Sequence, residues 1–134
     1  MDKLNPADQN ATITFFSYTT WFVIKEWNNI EIDKQLHPNW IPVKYRTTLT
    51  VPAGNNAFTF DLNVSYTTSS GGIVTYEFKD IEMRYNFEPG RKYQIRSRRN
   101  SLGLFRESEI FVQLYDTTER EILLREWKIG QTRY

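Results

Sequence analysis

One histidine, His37, and two close pairs of acids, Glu77 with Asp80 and Glu107 with Glu109, are the residues of this 134-residue chain suited to proton-transfer chemistry. Histidine titrates near neutral pH and serves as a base or a metal ligand. His37 stands in the proline-containing stretch DKQLHPNWIP (33–42), with no second histidine or cysteine anywhere in the chain. A Ser-His-acid relay would have to run through this one side chain, and no glycine-flanked nucleophile elbow accompanies it. Two carboxylates suffice for a glycosidase. Acids two or three residues apart, however, also arise wherever a soluble strand presents a wet face, and that is the reading we take. The lack of cysteine removes thiol catalysis, disulfides and cysteine-bound zinc. No acidic loop has calcium spacing and no glycine loop is built to cradle phosphate. The expectation is a protein without catalytic residues, metal or cofactor.

Binding chemistry is better represented. Between Arg84 and Arg106 lie seven cations, Arg84, Arg91, Lys92, Arg96, Arg98, Arg99 and Arg106, against the single acid Glu88, in a chain whose net charge is only +1. Alternation in RKYQIRSRR puts Lys92, Arg96 and Arg98 on one side of a strand and Tyr93 and Ile95 on the other. Two readings follow. Arg91, Lys92, Arg96, Arg98 and Arg99 are candidate contacts for an anion: nucleic acid, an acidic glycan or a lipid headgroup. Alternatively, neighbouring strands supply counter-charges from Glu77, Glu82, Glu107, Glu109, Glu119, Glu121 and Glu126, since cross-strand ion pairs are ordinary, and the cations keep a sheet edge soluble. The second is favoured. Aromatic side chains stack on sugars and bases; among the four tryptophans Trp40, flanked by Asn39 and close to Pro42, is the candidate exposed contact.

These side chains need a frame, and its pattern is β. The stretch ATITFFSYTTWFVIKEW is rich in β-branched and aromatic residues, which suit a pleated sheet. It predicts strands near 11–17 and 20–27, then a hairpin at Asn28-Asn29. A loop is expected over 33–42. Tyr45, Thr47, Leu49 and Val51 share a parity, Pro52-Ala53-Gly54 turns the chain, and Phe58, Phe60, Leu62 and Val64 alternate with polar residues. The stretch 67–72 reads as a flexible hairpin loop. Tyr76 and Phe78 have even parity, whereas Ile81, Met83, Tyr85 and Phe87 have odd parity. One extra residue near Lys79-Asp80, a β-bulge, puts both sets on one face. Glu88-Pro89-Gly90 predicts a hairpin with Tyr85, Phe87, Tyr93 and Ile95 facing inward. After the connection NSLG comes the strand EIFVQLYD. Residues 119–129 read as a closing strand, with a short helix opened by a Thr118–Glu121 capping box as the alternative. Phe58, Phe60, Leu62, Met83, Tyr85, Tyr93, Ile95, Val112 and Leu114 form the expected core.

The pair TLTVPAGNNAFTFDL and IEMRYNFEPGRKYQI, spanning about residues 48–96, resembles small β-sandwich modules of bacterial lipoproteins and exported proteins, including PEGA-type and transthyretin-like surface modules. The resemblance implies an all-β, non-catalytic, extracytoplasmic module and carries no catalytic residues with it. The chain's opening residues, MDKLNPADQN, are polar and do not read as a leader, and the sequence holds no cysteine for a lipid anchor, so the location implied by the resemblance stays an expectation.

Taken together, the expectation is a flexible arm over 1–10 and one all-β domain over 11–134. That domain is a single antiparallel β-sandwich of about seven to nine strands, Ig-like or transthyretin-like, with a β-barrel as the alternative. Its composition, 40% hydrophobic and 16% aromatic, supports a packed core rather than disorder. The expected function is that of a non-catalytic binding or structural module for a protein or glycan partner, with anion binding through residues 91–99 as the rival. A net charge this small exerts no general pull toward nucleic acid. No apolar run reaches the roughly 20 residues of a membrane-spanning helix. The expected location is outside the cytoplasm if a leader was removed, and the cytoplasm otherwise.

Overall fold

The computed structural model describes residues 9–17, 20–31, 45–67, 70–102 and 107–133. The loop over 33–42, with His37 and Trp40, lies outside them, as do most of the arm and Arg106. Among the described residues nine strands follow one another: β1 (Asn10–Ser17), β2 (Thr20–Trp27), β3 (Ile30–Glu31), β4 (Tyr45–Pro52), β5 (Gly54–Thr67), β6 (Ile73–Phe87), β7 (Lys92–Ser101), β8 (Glu107–Asp116) and β9 (Ile122–Arg133). They form a five-stranded sheet in the order β4-β1-β7-β8-β9 and a four-stranded sheet in the order β3-β2-β5-β6. The sheets pack face to face and do not close on each other, so the fold is a sandwich and not a barrel. No helix among the described residues is long and apolar enough to cross a membrane.

β5 shows why the chain takes this form. From Asn56 to Tyr66 every second residue is buried and the residues between them are not. That period of two turns one side of the strand into core. Its neighbours must stay in step, and each does so with an extra residue. β2 bulges at Lys25, between Ile24 opposite Phe60 and Glu26 opposite Thr59. β6 bulges opposite Asp61, between Phe78 facing Leu62 and Ile81 facing Phe60. Asp80 there takes a positive φ of 57°. The bulge expected at Lys79-Asp80 is therefore present, and Phe78 and Ile81 share the inner face. The Asn28-Asn29 turn is present too, with φ of 49° and 64°, and joins β2 to β3. The closing strand is present over Ile122–Arg133, so the helical alternative falls away; Thr118 Oγ1 caps no helix and instead accepts from Lys92 N–H at 2.9 Å.

The interior is dominated by edge-to-face aromatic pairs. Phe15 of β1 contacts Phe22, Phe58 and Phe60 from the opposite sheet at centroid distances of 5.5–5.6 Å. Eight of the nine expected core residues are buried, and Tyr85 is half-buried.

Three expectations are corrected. First, the turn at Pro89-Gly90 forms, with Gly90 at φ 75°, but it does not make a hairpin. β6 pairs with β5, and β7 pairs with β1 and β8, so the turn carries the chain from one sheet to the other. The reason is visible in the side chains: Phe87 and Tyr93 on either side of the turn meet across the core at 4.9 Å instead of lying side by side on one sheet. Second, the sandwich is not purely antiparallel, because β1 and β7 pair in parallel from Thr12–Lys92 to Phe15–Ile95. Third, the expected arm ends early: Asn10 is buried and begins β1, its carbonyl accepting from Gly90 N–H at 2.8 Å.

Candidate functional site

β7 presents the basic row as its alternation requires. Tyr93 and Ile95 are buried in the core, while Lys92, Arg96 and Arg98 point away from it on the outer face of the five-stranded sheet. The register then decides what surrounds them. Arg96 stands opposite Gln113 of β8 and Arg98 opposite Phe111. Beyond β8, β9 brings Glu126 beside Gln113.

Each guanidinium is consequently enclosed on several sides. Arg96 donates from Nε to Gln94 Oε1 at 2.9 Å and from Nη2 and Nη1 to Glu121 at 2.8 and 3.3 Å, with its Cζ 4.2 Å from the ring centre of Tyr115. Arg98 grips Glu126 through Nη2 and Nε at 3.0 and 3.1 Å and lies 4.3 Å above the ring of Phe111. A planar fork matches a carboxylate with two parallel bonds and stacks on an aromatic face, which a lysine cannot do. Gln113 Nε2 adds a bond to Glu126 at 2.7 Å and is itself buried beneath this layer. Glu109 completes the face, accepting from Asn100 Nδ2 at 3.1 Å and pairing with Lys128 Nζ at 2.8 Å.

The electrostatics follow the geometry. The bond from Arg98, then that from Gln113, holds Glu126 below its ordinary range, and Arg98 is raised in turn by the same bond. Arg96 lowers Glu121; Lys128 and then Asn100 lower Glu109. Arg91 stands at the end of the row, between Glu88 Oε2 at 3.1 Å and Asp116 Oδ2 at 3.2 Å, and is raised chiefly by Asp116. Burial pushes Asp116 upward, but hydrogen bonds from Thr118 and the charge of Arg91 outweigh it, and the net shift is downward.

Two of the five candidate anion contacts differ. Lys92 is exposed and has no ion pair among the described residues. Arg99 has inward parity but lies near the end of β7, exposed, with its Cζ 5.0 Å from the ring of Tyr66. The row is thus not one continuous basic stripe. Arg91, Arg96 and Arg98 have carboxylate partners, and Lys92 and Arg99 stand apart on opposite faces of the strand.

The acid pairs do not converge on a shared site. Glu77 pairs with Lys79 at 3.6 Å while Asp80 accepts from Lys25 at 2.6 Å; Glu107 lies 3.9 Å from Arg133 while Glu109 takes Lys128. No group of three or more His, Asp or Glu side chains among the described residues is placed to hold a metal ion.

Two polar clusters escaped the sequence reading. At one end of the sandwich Asn56 is buried and fully bonded. Its Oδ1 accepts from Trp27 Nε1 at 2.8 Å and Asn28 Nδ2 at 3.2 Å, and its Nδ2 donates to the carbonyls of Pro52 and Gly54 at 2.9 and 3.1 Å. It ties the β2–β3 hairpin to the β4–β5 corner. On the outer face of the four-stranded sheet Lys25 lies between Asp80 and Asp61, and Asp61 Oδ1 also accepts from Asp80 N–H at 2.9 Å, pinning both bulges at once. The run Gly54-Asn55-Asn56, rich in turn-forming residues, was the one local hint of the first cluster; the second depends on pairing register and had no local signal.

No family model, curated protein or solved structure matches this chain.

Proposed function

We propose that this chain is a non-catalytic β-sandwich module of an exported bacterial protein, acting as a binding or structural unit. The observation that carries the reading is the ion pairing of five of its carboxylates. Asp80, Glu109, Asp116, Glu121 and Glu126 each lie against a cation, and all five are shifted downward. A carboxyl acting as general acid near neutral pH must be shifted the other way, so that it keeps its proton. These five are thus unsuited to donate a proton near neutrality, and their pairing with Lys25, Arg91, Arg96, Arg98 and Lys128 ties neighbouring segments together. The exported location rests on the resemblance of residues 48–96 to surface modules. The test is a panel of esterase, phosphatase and glycosidase substrates, on which no turnover is expected. Turnover abolished by replacing a single carboxylate, Asp116 above all, would overturn the reading.

Anion contact is the second reading, and one observation favours it: Lys92 and Arg99 are exposed and lack carboxylate partners among the described residues. A polyanion would meet Lys92 first, on the outer face it shares with Arg96 and Arg98, and then compete with Glu121 and Glu126 for those two, with Arg99 a separate contact near the end of β7. Retention on heparin at low ionic strength, lost in Lys92→Gln with Arg99→Gln, is the expected signature. Passage of the wild type without retention removes this reading.

A further inference from the structure

The charges of β6 are arranged differently from those of β7. Among the described residues, Glu77 pairs with Lys79 at 3.6 Å and Glu82 with Arg84 at 2.5 Å, both within the strand itself. On β5, Glu77 faces Asn63, Glu82 faces Thr59 and Arg84 faces Ala57, so these three meet no counter-charge there, and the one acid opposite the bulge, Asp61, lies 3.7 Å from Lys25. All four side chains are half or more exposed, at 50, 63, 50 and 70%. β6 is also the edge of its sheet, its backbone paired with β5 alone, while β9 of the other sheet reaches it through Arg133 N–H donating to Tyr76 Oη at 3.2 Å. The apolar row on its other face is incompletely covered, since Tyr76, Phe78, Ile81 and Tyr85 are half-buried whereas Phe58, Phe60, Leu62 and Val64 of β5 are buried.

We propose that β6 is a self-association edge. Two copies pair β6 to β6, antiparallel, about a two-fold axis at Asp80–Ile81, and so join their four-stranded sheets into one. In this register Glu77 faces Arg84 of the second copy and Lys79 faces its Glu82; by symmetry each contact occurs twice. On the other face Tyr76 meets Tyr85 and Phe78 meets Met83. The bulge makes this possible. Because it shifts side-chain parity by one, the charged residues before it and after it lie on the same face, and outward residues meet outward residues on either side of the axis, where Asp80 and Ile81 meet. A bulge commonly blunts an edge; this one falls at the two-fold axis and leaves a regular run on either side. The within-strand pairs are what these four charges fall back on when no second copy is present. The inference goes beyond the non-catalytic reading and does not depend on it.

The test is light scattering of the purified chain over a concentration series at low salt, with circular dichroism confirming that each variant is folded. The wild type is expected to form a dimer that weakens as salt screens the facing charges. Glu77→Arg sets arginine against arginine at two symmetric places, and Arg84→Glu sets acid against acid; each should weaken the dimer by about tenfold or more. The double reversal, Glu77→Arg with Arg84→Glu, restores both contacts and should restore the dimer. A wild type that stays monomeric up to about 1 mM, where even weak pairing becomes populated, overturns the proposal. So does a dimer indifferent to either single reversal, or one that the double reversal leaves broken.

Discussion

Arg98 of β7 and Glu126 of β9 join hands over the strand that separates them. The guanidinium passes above Phe111 of β8, 4.3 Å from the ring centre, and meets the carboxylate through two hydrogen bonds of 3.0 and 3.1 Å. Arg96 does the same over Tyr115 to reach Glu121. The outer face of the five-stranded sheet is therefore layered: an aromatic floor on β8, with a roof of arginine–glutamate pairs from its two neighbours. This layer takes up two of the seven cations between Arg84 and Arg106.

Acid should loosen this layer. Glu126, Glu121 and Glu109 are all held below the ordinary value of 4.5 in the folded chain and return to it on unfolding. In the interval between the two values the unfolded chain binds more protons, so stability rises with pH there and is lost as pH falls through the folded values. Urea midpoints are expected to be flat from neutrality to about pH 5 and to decline below it. Glu126→Gln should make that decline shallower. Identical pH profiles for the variant and the wild type would show that the Arg98–Glu126 pair adds nothing to the folded state.

Gly130 of β9 lies directly against Phe78 of β6, where the two sheets meet along one flank. A Cβ added there would strike the ring of Phe78. Overpacking of this kind costs about 1–3 kcal/mol unless the neighbour can withdraw. Gly130→Ala should lower the chemical denaturation midpoint accordingly, and adding Phe78→Leu, which removes the ring edge, should recover part of the loss. Additive destabilisation by the two changes would disprove the contact.

Asn56 is a buried amide that serves four partners. Asn56→Ala leaves the indole N–H of Trp27 and the carbonyl of Pro52 without their partner, and unsatisfied buried groups cost about 1–3 kcal/mol each. The expected result is a large loss of stability with a shift in tryptophan emission as water reaches Trp27. A loss within the range of an ordinary surface substitution, about 0.5 kcal/mol, would mean that water replaces the amide without penalty.

Phe60 lies fully buried and in ring contact with Phe15 and Phe22 at 5.6 and 5.4 Å. Phe60→Ala should cost about 3–5 kcal/mol, the range for an aromatic side chain removed from a packed core. A cost below about 1 kcal/mol in denaturant titration is incompatible with this position at the sheet–sheet interface.

What could be read before folding was whatever the chain encodes locally. The buried row of β5 was visible in its period of two, and the bulge at Lys79-Asp80 in the change of parity from Phe78 to Ile81. The Asn28-Asn29 turn was visible because asparagine tolerates a positive φ. Turn chemistry could not say where the strands beside a turn find their partners. Pro89-Gly90 makes the same corner whether β6 and β7 pair or separate, and the choice was made by β1, which takes the edge of β7. The partners of Arg96 and Arg98 were foreseen as a class, neighbouring glutamates. Their identity depended on two irregularities in the pairing of β8 with β9, between Ile110 and Phe111 and between Leu114 and Tyr115, which shift the register of everything beyond them. Asn56 was unreadable for a similar reason: its partners come from separate turns and strand ends.

The parallel pairing of β1 with β7 also dictates an order of events during folding. Thr12 meets Lys92, about eighty residues further along, and such distant contacts make sandwich topologies slow to assemble, on the scale of milliseconds to seconds. On a ribosome the first strand emerges long before its central partner exists. It can find β4 early, but its other edge, with Ile13 and Phe15 on the strand, has to wait until β7 has been made. The four-stranded sheet, whose long β5–β6 ribbon closes through a short loop, is free to form in the meantime and offer Phe22, Phe58 and Phe60 as a surface on which that waiting strand can rest.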